Sequence, residues 1–283
     1  MPEGPEVECT KRLLKPVIGK KIREIMLTEL SQKYKKYRNK QNIFNEFSGF
    51  KVKEIRRKGK FLIWIFDYEK IILNHLGMSG KWIFVDDTKQ EFPTHSKIII
   101  LFEDLQKSLI FDDVRNFGQF RIFESYDSVS NYPPIRRMGI DGLALPFPIK
   151  DFLQKIDKSN YSNKEIGSVL LDQKLVAGVG NIYKAESLYE ARINPTKHVK
   201  DITKKEREKL GIAISKILHK ALSSQGSTFN IQPFQTPNGE EGTAQKWHKV
   251  YGKKDTPCQD CGTKISNIKQ NSRSTFFCPK CQI

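Results

Sequence analysis

The spacing of hydrophobic and polar residues predicts a leading helix followed by a β-rich region. Val7, Leu14 and Ile18 recur at helical spacing behind Pro5, which predicts a helix over residues 5–18. Between about residues 22 and 123, short apolar runs alternate with turn residues. They predict strands at residues 51–55, 61–66, 71–74, 82–85, 98–102, 109–111 and 120–123. Many short strands of this kind indicate an antiparallel sandwich or barrel.

The second half of the chain has a different pattern. Residues 125–150 contain four prolines and two glycines, which is typical of a linker between domains. Apolar residues at helical spacing then predict helices near residues 166–170, 182–189 and 210–221, and Thr203 and Glu206 form a capping-box pattern ahead of the last one. Residues 225–257 have the composition of an irregular loop. We therefore expect a β-rich domain at 1–130, a linker at 131–150, a helical domain at 151–245 and a finger at 246–283.

Composition narrows the possible partners. The 283 residues carry a formal net charge of +17, which favours a polyanionic partner, with nucleic acid first and a membrane surface second. Lysines outnumber arginines 37 to 12, so genome composition is an alternative origin of the charge. The basic segment 33–42 (KYKKYRNKQN) fits either a nucleic-acid contact or, as we prefer, a solvated loop. No apolar run approaches the length of a membrane helix, and the N-terminus lacks a signal-peptide pattern.

The cysteines carry the strongest local signal. Cys258 and Cys261 are separated by two residues, 16 residues follow, and Cys278 and Cys281 repeat the spacing. Two such pairs predict one tetrahedral Zn²⁺ site of four thiolates, which leaves no open position and is therefore structural rather than catalytic. A redox dithiol would explain one pair but not both. Cys9 is left over, and its expected role is that of a buried apolar side chain.

The N-terminus offers a nucleophile. Removal of Met1 would expose Pro2 as a secondary amine, which can attack an electrophilic carbon, and Glu3 beside it can transfer protons. A proline at this position is common, so this observation alone is weak.

Several segments together resemble the formamidopyrimidine-DNA glycosylase and endonuclease VIII family, and most of all formamidopyrimidine-DNA glycosylase. The resemblance spans the whole chain in the order of the family. It rests on PEGPEVE at 2–8, HLGMSG at 75–80, DVRNFG at 113–118, LDQ at 171–173 with VAGVGNIY at 176–183, and RSTFFC at 273–278.

The resemblance implies an α+β fold: an N-terminal antiparallel β-sandwich with a leading helix, then a helix–two-turn–helix domain ending in a four-cysteine zinc ribbon. It also implies a bifunctional DNA glycosylase and AP lyase of base excision repair, with damaged double-stranded DNA as partner and one structural Zn²⁺ per chain. Such an enzyme excises an oxidised base through a Schiff base and cleaves the strand by β,δ-elimination. We expect a monomer in the bacterial cytosol.

Individual roles are also implied by the resemblance. Pro2 matches the nucleophile that attacks C1′, and Glu3 matches the acid that protonates the opening sugar. Met78, Arg115 and Phe117 match the side chains that fill the void left by the flipped base, although core packing is an alternative for Met78 and Phe117. The residues matched to phosphate or other DNA contacts are Lys60, Asn181, Arg273, His95, Lys164 and Glu6. A surface histidine without a role is an alternative for His95.

The sequence departs from the family pattern at three places. Purine-specific members usually have Leu at position 4 and often a basic residue at position 167, whereas both positions are Gly here. Residues 230–245 match a lesion-capping loop only loosely. The context of Met78 and the Arg115/Phe117 pair resemble the purine-specific type, so we expect oxidised purines such as 8-oxoguanine and formamidopyrimidines as substrates. The alternatives are an endonuclease VIII-like enzyme for oxidised pyrimidines and a catalytically silent DNA-binding protein.

Overall fold

A computed structural model describes residues 1–88, 92–228 and 234–283. The chain forms two compact units. The N-terminal unit comprises Met1–Pro2, Glu6–Arg136 and Gln225–Thr243, and the helical unit comprises Glu3–Pro5, Arg137–Ser224 and Ala244–Ile283. Residues 230–233 of the expected lesion-capping loop lie outside the described residues. In the part of the chain that is described, no helix is long and apolar enough to cross a membrane.

The secondary structure follows the order helix, strands, helices, hairpin. The strands are β1 (Ile22–Leu27), β2 (Val52–Lys58), β3 (Phe61–Phe66), β4 (Ile71–His75), β5 (Lys81–Asp86), β6 (Ser96–Phe102), β7 (Lys107–Asp112), β8 (Gln119–Phe123), β9 (Ile140–Asp141), β10 (Val176–Ala177), β11 (Ser266–Gln270) and β12 (Arg273–Phe277). The α-helices are α1 (Gly4–Leu13), α2 (Glu29–Gln32), α3 (Gln41–Asn45), α4 (Tyr126–Asn131), α5 (Pro133–Arg136), α6 (Ile149–Ile156), α7 (Ser159–Ser162), α8 (Ile166–Val169), α9 (Asn181–Ala191) and α10 (Lys204–Ser223).

Two antiparallel sheets build the N-terminal unit, and this confirms the predicted sandwich. Their strand orders are β1-β6-β7-β5 and β2-β3-β4-β8. Residues from both sheets share one apolar core, in which the Trp82 ring lies 5.2 Å from that of Trp64 and 5.1 Å from that of Phe111. Cys9 is buried as expected, and burial raises the pKa of its thiol to about 12.

The predicted leading helix is shorter than expected. It ends at Leu13, and a 3₁₀ turn at Lys15–Val17 replaces the last turn. Pro16 explains the difference, because proline has no N–H to continue the ladder and its ring clashes with the preceding turn.

Two helices and a hairpin organise the helical unit. The predicted capping box of α10 is confirmed, since the Thr203 side chain accepts from the Glu206 backbone N–H while the Glu206 carboxylate accepts from Thr203 N. Helix α9 packs against α10 and against β12 of the C-terminal hairpin. The β11–β12 turn consists of Asn271 and Ser272, whose φ angles are 47° and 60°. Positive φ at both central residues is typical of a two-residue hairpin turn of type I′. Arg273 is thereby placed next to the tip of the hairpin.

Candidate functional site

The carboxylate of Glu3 lies at the N-terminus of α9. Its Oε2 accepts hydrogen bonds from the backbone N–H groups of Gly180 at 2.7 Å and Tyr183 at 3.3 Å, and its Oε1 accepts from Ile182 at 2.9 Å. The first N–H groups of a helix have no partner within the helix, and the helix dipole favours negative charge there. Glu3 is only 2% exposed, so its side chain is held in one place by the start of this helix.

Glycines make this approach possible. A Cβ built on Gly180 would lie 2.2 Å from Cδ of Glu3, so any side chain at this position would displace the carboxylate. Gly178 has φ +96°, which favours glycine, and its carbonyl accepts the N–H of Gly4 at 2.8 Å. Pro2, the expected nucleophile, is buried and directly precedes Glu3 in the chain, so a fixed Glu3 also restricts the position of Pro2.

A polar cluster surrounds Asn181, the first residue of α9. Its Nδ2 donates to the carbonyl of Ser274 at 2.8 Å, and its Oδ1 accepts from Nζ of Lys184 at 2.9 Å. Lys184 is fully buried and also donates to Oγ1 of Thr275 at 2.7 Å. Desolvation lowers the pKa of Lys184 to about 8, with Glu3 opposing the shift and Arg273 adding to it. The side chain of Tyr251 also hydrogen-bonds to Asn181.

This cluster places two predicted phosphate contacts near each other. Asn181 is hydrogen-bonded to the backbone of β12, and Arg273 is the first residue of that strand. The positive charge of Arg273 also contributes to the lowered pKa of Lys184. Arg273 itself is exposed. The structure thus groups Glu3, Asn181 and Arg273 within the helical unit.

Lys60 lies in the N-terminal unit, where its side chain is 7% exposed. Its positive charge and, above all, desolvation lower the pKa of His75 to about 4. His75 is therefore neutral at physiological pH, and its Nδ1 accepts the N–H of Gly77 at 3.1 Å.

The turn between β7 and β8 presents Arg115 and Phe117 to solvent. Phe117 is 52% exposed, which argues against core packing for this residue, and the guanidinium of Arg115 lies 5.2 Å from the centre of its ring. Asp113 holds the turn from inside: its carboxylate accepts from Gly118 N at 2.7 Å and from Oγ of Ser79 at 2.6 Å. The same Ser79 oxygen accepts the N–H of Arg115 at 2.9 Å.

Met78 belongs to the neighbouring segment. It is half-buried, and the preceding Gly77 approaches so closely that a Cβ there would lie 2.4 Å from the Phe117 carbonyl carbon. The backbone carbonyl of His95 accepts the N–H of Asp113 at 3.1 Å, and its side chain is half-buried. The structure therefore brings Met78, His95, Arg115 and Phe117 into one region of the N-terminal unit.

Lys164 belongs to the helical unit and Glu6 to the N-terminal unit. Lys164 is exposed, and its Nζ lies 5.9 Å from the ring centre of Tyr161. Glu6 is 2% exposed, and its Oε1 accepts the N–H of Ser227 at 2.8 Å. A Cβ on Gly226 would lie 2.6 Å from Cγ of Glu6, so this carboxylate holds the backbone that leads toward residues 229–233.

The four cysteines that flank the C-terminal hairpin in the chain form a cluster that can hold one metal ion. Their sulfur atoms all lie within 4.8 Å of one another, with 3.9 Å between Cys258 and Cys281 and 3.5 Å between Cys261 and Cys278. A tetrahedral ion with metal–sulfur distances of about 2.3 Å requires sulfur–sulfur separations of about 3.8 Å. The four thiols are unpaired by disulfides and fit such an ion.

Some contributors to these sites were not predicted from the sequence. Lys184 and Tyr251 join the cluster around Asn181, and Val114, which is 53% exposed, lies beside Arg115 in the β7–β8 turn. The one available signal for Lys184 was its position three residues after Asn181, on the same face of the helix.

Family models match the chain in three consecutive parts. They are the formamidopyrimidine-DNA glycosylase N-terminal domain at residues 1–120, the formamidopyrimidine-DNA glycosylase H2TH domain at 138–232, and a zinc finger found in FPG and IleRS at 256–283. The two glycosylase domains and the finger define a DNA glycosylase of the helix–two-turn–helix class.

Relatives that match over their full length support the same family. Formamidopyrimidine-DNA glycosylase of Wolbachia pipientis subsp. Culex pipiens is 38% identical over 283 residues, which is 100% of both chains. Among solved structures, Lactococcus lactis Fpg in complex with DNA containing an abasic site has a TM-score of 0.86 and 33% identity, with 99% of each chain covered. The Lactococcus enzyme has also been solved with DNA containing an oxidised pyrimidine. MutM in complex with DNA containing carbocyclic 8-oxo-G has a TM-score of 0.84 and 32% identity, with 100% of each chain covered. The chain belongs to the formamidopyrimidine-DNA glycosylase family.

Proposed function

We propose that this enzyme is a bifunctional DNA glycosylase and AP lyase that removes oxidised bases from duplex DNA, with oxidised purines as the preferred substrates. The observation that carries the proposal is the carboxylate of Glu3, which is fixed by three backbone N–H groups one residue after Pro2. Catalysis by a terminal amine requires that the amine and a proton donor keep a constant geometry, because small displacements of a reacting group are costly. The backbone N–H groups at the start of α9 hold the Glu3 carboxylate in such a fixed position.

In the proposed reaction, the secondary amine of Pro2 attacks C1′ of the damaged nucleotide after Met1 is removed. The bond from C1′ to the base breaks as the bond to nitrogen forms. The base leaves with the electron pair and takes up a proton, and the nitrogen gives up its own proton. Glu3 protonates the sugar ring oxygen as the ring opens, which leaves an iminium at C1′. Loss of a proton from C2′ then expels the 3′ phosphate, and a second elimination expels the 5′ phosphate. Hydrolysis of the iminium returns the free amine.

Charged and polar groups in each unit would bind the DNA backbone. Lys60 and Arg273 supply positive charge for phosphates, and Asn181 supplies an amide at a helix N-terminus, where backbone N–H groups favour anions. Lys164 is exposed, which suits a peripheral phosphate contact. Glu6 would act indirectly, through the backbone at Ser227.

The exposed side chains of the β7–β8 turn would replace the flipped base. An enzyme that acts on a base must take it out of the stack, and the remaining void favours an inserted apolar side chain. Phe117 and Met78 provide apolar surface, while the guanidinium of Arg115 can hydrogen-bond to the unpaired partner base. His95 would contact DNA beside this turn, since its backbone is hydrogen-bonded to Asp113.

Oxidised purines are favoured over oxidised pyrimidines for two reasons. The motifs around Met78, Arg115 and Phe117 are of the purine-specific type, and a homologous MutM binds DNA containing an analogue of 8-oxoguanine. Oxidised pyrimidines are a second candidate class, because the Lactococcus homologue binds such DNA too. Single-turnover excision from duplexes carrying 8-oxoguanine opposite cytosine, compared with thymine glycol and dihydrouracil, separates the two classes.

The four-cysteine cluster is proposed to bind one structural Zn²⁺. Its sulfur–sulfur distances suit a tetrahedral thiolate site, and four protein ligands leave no position for a reacting water. The ion would fold the hairpin and so hold Arg273 and the backbone of Ser274, the group that accepts the Asn181 amide.

Trapping of the covalent intermediate tests the central proposal. Borohydride should reduce the iminium and leave the protein attached to lesion-containing DNA. A form that keeps Met1 has an amide at Pro2 and should give no adduct, while Glu3→Gln should bind DNA with slower adduct formation. Efficient trapping by the Met1-containing form would show that another amine, such as Lys60, is the nucleophile. Absence of trapping on every lesion, with DNA binding intact, would favour a silent DNA-binding protein.

A further inference from the structure

Lys36 connects the basic segment 33–42 to the turn that carries Arg115 and Phe117. Its Nζ donates hydrogen bonds to the backbone carbonyls of Asn116 at 2.7 Å and Gly118 at 2.5 Å. These two carbonyls stand on either side of Phe117 in the chain. A charged donor forms stronger hydrogen bonds than a neutral one, so this ammonium group is a firm support for the backbone of the turn.

The surroundings show that Lys36 is directed toward the protein. Lys36 is half-buried, whereas its neighbour Lys35 is exposed. Desolvation lowers the pKa of Lys36, and the nearby carboxylate of Asp113 opposes that shift. The ammonium also lies 4.9 Å from the ring centre of Tyr37, which is 2% exposed. The expected solvated loop is therefore wrong for Tyr37, and Lys36 has two of its three donors occupied by protein carbonyls.

The backbone of the turn needs such a support. Asn116 has φ +58°, a conformation that is unfavourable for most side chains, and Gly77 presses on the backbone of Phe117. Asp113 fixes the N–H groups of the turn, directly at Gly118 and through Ser79 at Arg115. Lys36 fixes its carbonyl groups. The two charged side chains thus secure complementary sets of backbone atoms around one exposed aromatic ring.

We propose that Lys36 is a positioning residue for base eversion, which holds the Asn116 and Gly118 carbonyls so that Arg115 and Phe117 are presented to the DNA in a preformed arrangement. This inference rests on the proposed void-filling function of those two side chains. Lys36 acts through the turn and contacts no reacting atom. Because Arg115 and Phe117 are already in place, less conformational entropy is lost when they enter the DNA. The step in which the base leaves the stack is therefore faster.

The test uses three variants of the full-length protein. Lys36→Met removes the ammonium and keeps the apolar stem, Lys36→Arg keeps the charge and the donors, and Lys35→Met removes the same charge from the exposed neighbour. Single-turnover excision is measured on a duplex with 8-oxoguanine opposite cytosine. Strand cleavage is measured on the same duplex with a preformed abasic site, which has no base to evert.

Lys36→Met should slow excision by about tenfold, a fraction of the roughly hundredfold loss that a misplacement of 1 Å can cause. Cleavage at the abasic site and the Kd for DNA should change by less than about threefold, since the phosphate contacts and the reacting groups are untouched. Lys36→Arg should recover most of the excision rate, and Lys35→Met should match the unaltered protein.

Three outcomes would overturn the proposal. Excision by Lys36→Met that equals that of Lys35→Met would show that the contact has no positioning role. An equal loss on the abasic duplex would indicate general damage to the fold, and no recovery by Lys36→Arg would exclude the donated hydrogen bonds as the cause. Arg115→Ala and Phe117→Ala are run alongside: if both excise normally, the void-filling function itself fails. If they are slow while Lys36→Met is normal, only the present inference fails.

Discussion

Replacement of Gly180 by Ala should displace the carboxylate of Glu3 without disturbing the helix beneath it. The backbone of Gly180 has φ −127° and ψ −160°, an extended conformation that alanine adopts readily. Its added Cβ would lie 2.2 Å from Cδ and 2.4 Å from Oε1 of Glu3. Ordinary contact between such atoms begins near 3.4 Å, so the carboxylate must retreat by about 1 Å.

That retreat sets the expected magnitude. Displacement of a catalytic group by 1 Å costs about a hundredfold in rate, or about 2.7 kcal/mol of transition-state stabilisation. The three hydrogen bonds from Gly180, Ile182 and Tyr183 are also weakened, and each bond to a charged group contributes about 1.5–3 kcal/mol. Water can replace part of this loss at a helix N-terminus, so we expect a fall in Tm of several degrees rather than unfolding.

A double-mutant cycle isolates the cause. Single-turnover excision, borohydride trapping and DNA affinity are measured for Gly180→Ala, Glu3→Ala and the double variant. Gly180→Ala should lower the excision rate by about a hundredfold with Kd within about threefold. In the Glu3→Ala background the same substitution should have almost no effect, because the group it displaces is gone. Gly211→Ala is the matched control, because this buried helix position also gains a Cβ in close contact with neighbouring side chains, none of which belongs to the site. An additive cycle would refute the steric argument.

Three further predictions concern metal, charge and pH. Metal analysis should give one Zn²⁺ per chain for the unaltered protein and none for Cys261→Ser. That variant should bind DNA more weakly while the near-UV signal of the tryptophans in the sandwich persists; unchanged affinity without metal would contradict a supporting role of the hairpin. Arg273→Ala should reduce the slope of log K against log salt by about 0.9, as loss of one phosphate contact does, and an unchanged slope would contradict that contact. His248 is 1% exposed, and burial lowers its pKa to about 4. Between about pH 4 and 6.5, this imidazole is therefore protonated in the unfolded chain and neutral in the folded chain. Stability should therefore fall as the pH drops through that window, and this fall should be smaller in His248→Phe. An equal fall in both proteins, measured by urea titrations across the window, would exclude His248 as the source.

The sequence predicted strands well where both faces are apolar and poorly where the pleat is interrupted. Strand β3 was predicted at its observed bounds, since all six of its residues are apolar and a short apolar run between turn residues is typical of a buried strand. Strand β1 was not predicted, because Arg23 and Glu24 are both exposed in succession. The register of its pairing with β6 shifts between Ile22 and Glu24, so a bulge breaks the alternation that sequence patterns depend on.

The candidate sites likewise contain residues that local sequence patterns predict and residues that they do not. The cysteine cluster follows from spacing alone, because two short Cys-x-x-Cys loops impose the geometry of four ligands. The burial of Lys184 and the inward direction of Lys36 could not be predicted, since lysines are almost always at the surface. Both owe their positions to segments distant in sequence: Thr275 for Lys184, and Asn116 and Gly118 for Lys36. Local patterns contain no information about such partners.

The two glycines that depart from the purine-specific pattern have packing explanations. A Cβ on Gly4 would lie 3.1 Å from Cα of Gly178, and the N–H of Gly4 is hydrogen-bonded to that residue's carbonyl. A Cβ on Gly167 would lie 2.2 Å from Oε1 of Gln270, whose amide in turn donates to Glu165. A side chain at Gly4 would press on the backbone of Gly178, and one at Gly167 would displace the end of the Gln270 side chain. Packing within the helical unit is therefore an explanation of both glycines that does not involve the lesion. The proposed preference for oxidised purines therefore rests on the three residues proposed to fill the void, Arg115, Phe117 and Met78.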